Sequence, residues 1–149
     1  PNYDWLVNND KVKANVYKTE SGKEYTIQFA IENWWISDYI TLYTNDKSVV
    51  SIESLTASRI LIIDKTKVED FYKKYPQFET FQRKNFEKRI ATLQKRILSL
   101  LTLSASEKYS QFVNDYSAFE KIIPNYQIAS YLGITPQSLS RVRKERVKS

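Results

Sequence analysis

The chain has 149 residues, of which 42% are hydrophobic and 14% aromatic, enough to bury a core in one domain or two small ones. It contains no cysteine and no histidine. This excludes disulfides and thiolate metal sites and removes the commonest general base and metal ligand, so we expect neither an enzyme nor a metal site. The net charge is +6, and residues 141–149 carry five basic side chains and one acidic one, a net charge of +4. Such a tail indicates a polyanionic partner, with a solvated charged terminus as the alternative.

No apolar run approaches the roughly 18 residues that a membrane-spanning helix needs, and the first residues lack a signal-peptide pattern. We therefore expect a cytoplasmic protein with no membrane partner. The chain has no methionine, even at position 1. This suggests a fragment whose natural start is missing.

The first 64 residues predict short antiparallel strands. In KANVYKTESGKEYTIQFAI, two alternating runs flank Ser21 and Gly22, which is typical of a hairpin. SVVSIESL and SRILIID are rich in β-branched residues and predict a second strand pair. Short strands separated by turns favour a small roll or barrel. Four or five strands are few for a closed barrel, so we expect further N-terminal strands to be missing.

Helical patterns begin after Asp64. Thr66 and Glu69 have capping-box spacing and predict a short helix over 67–74, which ends before Pro76. From 77 to about 103 there is no glycine or proline, which predicts one helix of about 40 Å. Its apolar residues recur at spacings of four and three, as in a coiled coil, and would pair two protomers. This seam consists of Phe86, Ile90, Leu93, Ile97 and Leu100. The alternative is a core helix lying along the sheet.

Ser104 and Glu107 have capping-box spacing and predict a helix over about 105–114. The last segment then predicts two helices joined by a tight turn. Gly133 lies where the turn needs a positive φ, and Thr135 followed by Pro136 is typical of a helix start. Ala129 lies where the helices would cross closely. The apolar positions that would lock the pair are Ile128, Leu132, Ile134, Leu139 and Val142. The pattern favours a DNA-binding helix-turn-helix, with a structural helical hairpin as the alternative.

The segment IPNYQIASYLGITPQSLSRVRK resembles the DNA-binding end of the Crp/Fnr superfamily of bacterial transcription regulators. The preceding segments FAIENWWISDYITLY, DKTKVEDFYKKYPQF and QKRILSLLTLSASEKY are similar in order, in a branch where little follows the recognition helix. The resemblance implies an α+β fold in three parts. These are a partial antiparallel β-roll of the cyclic-nucleotide-binding-like kind over 1–64, a short helix and a long dimerisation helix over 65–103, and a helix-turn-helix or winged-helix-like domain over 104–149.

The resemblance further implies a homodimer that binds double-stranded DNA and regulates transcription, with RNA polymerase as a candidate partner. The family's base-reading positions fall on Pro136, Gln137 and Arg141. Pro136 has no side-chain donor, whereas Gln137 can read adenine and Arg141 guanine. Contacts with phosphates are expected from Thr135, Ser138, Ser140, Arg143 and Lys144. The alternative is a ligand-binding module whose degenerate helix-turn-helix binds protein.

By the same resemblance, a candidate ligand pocket falls on Asp38 and Ser48. Asp38 could hold a ribose, but Ser48 replaces the arginine that neutralises the cyclic phosphate. A buried phosphate would then lie unpaired at a high cost. We therefore expect no cyclic AMP and predict no specific cofactor, although another small molecule in the roll could be a signal. One of Trp34 and Trp35 could pack in the roll while the other faces a ligand or the long helix, but we expect core packing, which is the commoner fate of such residues.

Overall fold

The computed structural model describes residues 3–8, 13–44, 46–117 and 120–148, with side chains from residue 16 to residue 147 within these ranges. Its first half contains the strands β1 (Tyr3–Asn8), β2 (Lys13–Lys18), β3 (Glu24–Ala30), β4 (Trp35–Ile36), β5 (Val50–Ser54) and β6 (Arg59–Asp64). A short helix, α1 (Tyr39–Thr44), lies between β4 and β5. The second half contains α2 (Lys65–Lys74), α3 (Pro76–Thr102), α4 (Ala105–Asp115), α5 (Asn125–Leu132) and α6 (Pro136–Lys148).

The strands form two antiparallel three-stranded sheets, in the orders β4–β1–β6 and β3–β2–β5. The predicted hairpin is confirmed as β2–β3, and Gly22 in its turn has a φ of 82°. The predicted second strand pair is wrong, because β5 pairs with β2 whereas β6 pairs with β1. A β-branched composition predicts strands but not their partners, which here come from far away in the chain. The expected α+β class with an antiparallel roll is confirmed.

Local signals set most helix boundaries. Pro76 occupies the first turn of α3, where its missing N–H costs no hydrogen bond, and α3 runs for the predicted 27 residues. Ser104 and Glu107 form the predicted capping box of α4. The predicted cap of α2 is wrong: Asp64 rather than Thr66 is the N-cap, and its carboxylate accepts from the Thr66 N–H at 2.9 Å. Because aspartate is as good a cap as threonine, the helix begins two residues earlier than predicted.

The main hydrophobic core joins the β2–β3 hairpin to the C-terminal helices. Phe29 is fully buried, and its ring centroid lies 5.1 Å from that of Tyr131, 5.9 Å from that of Tyr116 and 6.0 Å from that of Phe112. Val16 belongs to the same cluster. In addition, the Thr26 N–H donates to Ser130 Oγ of α5 at 2.9 Å. The sheet and the helix-turn-helix therefore pack against each other around one shared core.

The long helix α3 contributes little to that core. Among its residues only Gln82 is buried. Of the predicted seam, Phe86 packs against the Tyr39 ring, whereas the other four residues are 37–57% exposed: Ile90, Leu93, Ile97 and Leu100. Ile90 and Ile97 are more than half exposed, whereas Leu93 lines a cavity beside the roll and Leu100 lies close to Gly133. No helix in the described part of the chain is long and apolar enough to span a membrane.

Candidate nucleic-acid interface

The turn between α5 and α6 is built around Gly133. Its φ of 64° and ψ of 34° are left-handed, as the sequence predicted. The Ile134 N–H donates to the Ala129 carbonyl at 3.0 Å, which closes the end of α5. At the start of α6, Thr135 Oγ1 accepts from the Ser138 N–H at 3.1 Å, so the predicted N-cap is confirmed.

The predicted apolar positions lock the two helices together. Ile128 and Leu139 are at most 1% exposed. Ala129 is also buried, as expected for a small residue where two helices cross closely. The remaining members, Leu132, Ile134 and Val142, lie in or against the same cluster. Because Leu139 and Val142 occupy one side of α6, the other side of this helix is exposed to solvent.

The solvent side of α6 carries amide and basic groups. Gln137, Arg141 and Lys144 follow one another at spacings of four and three, which places them on one face of the helix, and all three are exposed. Ser140 is exposed beside them, and Pro136 is exposed at the start. Ser138 is half-buried, with its hydroxyl bonded to Thr135 Oγ1 at 3.0 Å. The two hydroxyls predicted as phosphate contacts near the turn therefore also form the helix cap.

Arg143 has an internal role. Its guanidinium forms an ion pair with Glu120, contacts Asn125 Oδ1 and donates from Nε to the Tyr109 hydroxyl at 3.0 Å. Tyr109 in turn donates to Glu120 Oε1 at 2.7 Å. Since two residues rotate an α-helix by about 200°, Arg143 points away from the face of Arg141. The positive charge of Arg143 can be read from the sequence. The direction in which its side chain points follows only from the packing of α6 on α4.

We expect Gly133→Ala to lower the free energy of unfolding by about 1–2 kcal/mol, because a left-handed φ is strained for alanine. The new Cβ would also lie only 3.2 Å from Leu100 Cδ2. Gly22→Ala is the matched control, since Gly22 also has a positive φ but would place its Cβ in open space. Urea denaturation followed by circular dichroism measures both variants. A larger loss at Gly22 would contradict the proposed contact with α3.

No protein-family model matches the chain, and no curated protein does. Solved structures do match it. FixK2 from Bradyrhizobium japonicum superposes with a TM-score of 0.81 at 14% identity, over 99% of this chain and 75% of FixK2. The c-di-GMP responsive global regulator CLP from Xanthomonas campestris gives 0.74 at 12% identity, over 99% and 78% of the two chains. A Crp/Fnr-family transcriptional regulator from Eubacterium rectale gives 0.68 at 16% identity, over 97% and 69%.

The chain has the Crp/Fnr fold. The order of roll, long helix and helix-turn-helix that the sequence resemblance implied is confirmed at the level of the fold. Identities of 12–16% leave the individual side chains of the site to be judged from their own geometry.

In this version of the Crp/Fnr fold, the residues of the candidate pocket form a capping cluster. Asp38 is 8% exposed and accepts hydrogen bonds from Thr41 Oγ1 and Ser48 Oγ, both at 2.7 Å. Burial raises the pKa of Asp38, but the hydrogen bonds from Thr41 and Ser48 outweigh it, so this pKa lies below its usual value. The structure thus brings Asp38 and Ser48 together, with the carboxylate engaged at the start of α1.

The lowered pKa predicts a pH dependence of stability. The contribution of Asp38 is complete above the ordinary aspartate pKa of about 3.9 and is lost as the pH falls through the lower folded value. We therefore expect the stability of Asp38→Asn to change less with pH below about pH 5 than that of the wild type. Urea midpoints measured over this range test it. Asp70→Asn removes a carboxylate from an exposed site on α2 and shows how much the pH dependence of stability changes when any one carboxylate is lost. Equal slopes in the two variants would contradict the prediction.

A separate cavity of about 310 Å³ lies where β3, β4 and α3 meet the C-terminal helices. Trp34 and Trp35 both line it, but Asp38 and Ser48 do not. The expected core packing is wrong for Trp34, which is 38% exposed, and Trp35 is half-buried. Both tryptophans are directed to this cavity because they occupy the turn and the short strand that face α3.

Proposed function

We propose that the chain is a homodimeric, sequence-specific DNA-binding regulator of transcription that works in the cytoplasm. The observation that carries the proposal is the division of α6 into two sides. One side is locked by Leu139 and Val142, whereas the other presents Gln137 and Arg141 to solvent. A helix held in this way can enter a major groove without losing its packing.

Base reading is assigned to Gln137 and Arg141. A glutamine amide matches the N6 and N7 edge of adenine, and an arginine fork matches the O6 and N7 edge of guanine. Phosphate contacts are assigned to Lys144 and to the hydroxyls near the start of the helix: Thr135, Ser138 and Ser140. Pro136 offers no side-chain donor, and Arg143 keeps its internal ion pair. Specificity within a half-site therefore rests on two side chains of α6.

Dimerisation is assigned to the exposed apolar residues of α3. The seam residues from Ile90 to Leu100 are exposed in one protomer and would be covered in a pair. Two recognition helices related by a two-fold axis would enter successive major grooves about 34 Å apart, on a near-palindromic site. RNA polymerase is the further partner that such a regulator would contact.

Selection of bound sequences from random duplex DNA tests the proposal. We expect a two-fold symmetric consensus, bound with an affinity that falls steeply as salt rises. A verified dimer that binds no DNA at low salt would contradict the proposal and would favour a helix-turn-helix used for protein contact.

Arg141→Ala is expected to lose discrimination of about 1–3 kcal/mol at one base pair in each half-site while keeping nonspecific binding. Lys144→Ala is the matched control, because loss of a phosphate contact weakens binding to all sequences similarly. Competition titrations with single-base variants of the consensus measure both. If Arg141→Ala weakened all sequences equally, Arg141 would be a phosphate contact instead.

A further inference from the structure

A polar cluster lies behind α6, on the side away from its exposed face. Arg143 is at the centre of the cluster and contacts three other segments: Tyr109 in α4, Glu120 in the connection after α4, and Asn125 at the first position of α5. The side chains of Arg143 and Glu120 are only 26% and 16% exposed. One guanidinium group therefore links α6 to both neighbouring helices and to the connection between them.

Arg143 uses a different nitrogen for each partner in this cluster. Its Nε donates to the Tyr109 hydroxyl at 3.0 Å, and its two terminal nitrogens bind Asn125 Oδ1 and Glu120 Oε1. The Tyr109 hydroxyl donates in turn to the same Glu120 oxygen at 2.7 Å. Burial and the bond to Glu120 raise the pKa of Tyr109, so its hydroxyl stays protonated and keeps this bond. The planar fork of arginine fixes the directions of all three contacts, whereas a lysine ammonium is a point charge on a flexible stem.

These directional bonds complement the apolar packing of α6. Leu139 and Val142 hold α6 against the other helices, but apolar contacts are non-directional and by themselves tolerate a small roll of the helix about its axis. A roll of about 10° moves a group at the outer radius of a helix, about 6 Å from the axis, by about 1 Å. A binding site needs its groups placed within about 0.5 Å, so such a roll would disrupt a two-bond contact with a base.

We propose that Arg143 is a positioning residue for DNA recognition, because its bonds to the cluster fix the rotation of α6 about its own axis. That rotation sets where Gln137 and Arg141 point. The inference rests on the proposed function and assigns Arg143 to specificity, although the basic run in the sequence suggests a phosphate contact. To bind a phosphate, the guanidinium would have to leave Glu120 as an unpaired and largely buried carboxylate, at a high cost.

The orientation of α6 is measured without DNA, from residual dipolar couplings of the backbone amides in the full chain. Arg143→Lys keeps the positive charge but loses the planar fork, so we expect the couplings of α6 to change relative to those of α4 and α5. Glu120→Gln gives the same test if Arg143→Lys does not fold. Val113→Ala is the control, because Val113 packs against the core from α4 and is not part of the cluster. It should lower stability while leaving the couplings of α6 unchanged.

Binding to two duplexes tests the effect on recognition. One duplex carries the consensus obtained by the DNA selection, and the other has the same composition in shuffled order. We expect Arg143→Lys to reduce the ratio of the two affinities about tenfold or more, while the affinity for the shuffled duplex and its salt dependence stay unchanged. Glu120→Gln should reduce the ratio similarly, and the double variant no further, because both changes break the same cluster. Val113→Ala should keep the wild-type ratio.

Three results would overturn the inference. The first is that α6 keeps its couplings in both Arg143→Lys and Glu120→Gln. The second is that Arg143→Lys keeps the affinity ratio of the wild type. The third is that Glu120→Gln strengthens binding to both duplexes equally, which would show that a released Arg143 binds phosphate. Absence of DNA binding in every form, the wild type included, would instead overturn the proposed function, and it is distinguished from the first result because the couplings are measured without DNA.

Discussion

Replacing Phe29 with alanine is expected to lower the free energy of unfolding by about 3–5 kcal/mol, the range for truncating a buried phenylalanine. The ring of Phe29 is fully buried and contacts aromatic rings from three places in the C-terminal helices. Neither side can close the resulting cavity without moving the other. Urea denaturation measures the loss, and Phe81→Ala, at a phenylalanine that is 53% exposed, is the matched control.

The same experiment tests whether the core is shared. Far-ultraviolet circular dichroism follows the helices, and the near-ultraviolet signal follows the aromatic cluster. We expect both signals to change in one transition in the wild type, and both midpoints to fall together in Phe29→Ala. Helices that kept their midpoint while the aromatic signal was lost would contradict a shared core.

Ile97→Asp is expected to convert the proposed dimer into monomers and to weaken strongly its binding to an operator obtained by the DNA selection. Ile97 is the fourth of the five seam residues, is 55% exposed and does not line the cavity, so the change reaches the proposed interface alone. Pairing would bury two carboxylates without partners, which costs more than the apolar contact contributes. Analytical ultracentrifugation measures the oligomeric state, and salt-controlled titration of the selected operator measures DNA binding.

Ala91→Asp is the control for this variant. It introduces the same charged side chain at an exposed position of α3 that lies off the seam. We expect it to remain dimeric. If Ile97→Asp also remained dimeric, the interface would lie elsewhere. If it formed monomers that bound the operator as tightly as the wild type, pairing through α3 would not be needed for DNA binding.

Features that depend on a few neighbouring residues could be predicted from the sequence. The left-handed turn at Gly133, the capping box of Ser104 and Glu107, and the break at Pro76 all depend on residues within one or two helical turns. The apolar lock of the helix-turn-helix follows equally directly, because its spacing is set by the helical period.

Features that depend on distant partners could not be predicted. The separation of β5 from β6 is decided by their pairing with β2 and β1. The inward direction of Arg143 depends on Glu120 and Tyr109, and nothing in the basic run distinguishes it from Arg141. The cavity combines Trp34 with Arg96 and Tyr131, residues that no sequence spacing relates. The adjacent residues Trp34 and Trp35 were the only sequence signal for this cavity, but two neighbouring tryptophans more often indicate core packing.

The docking of α5 on β3 has a consequence for chimeric regulators. Exchanging α4, α5 and α6 for the helices of another protein with this fold would place side chains of a different shape against Phe29 and Val16. A graft at residue 104 would therefore have to carry its own complement to the hairpin, or include the hairpin itself. Natural variants should show the same coupling, with changes at Phe29 accompanied by changes at Phe112 or Tyr131. The unit that could be exchanged in this chain thus includes the β2–β3 hairpin together with the C-terminal helices.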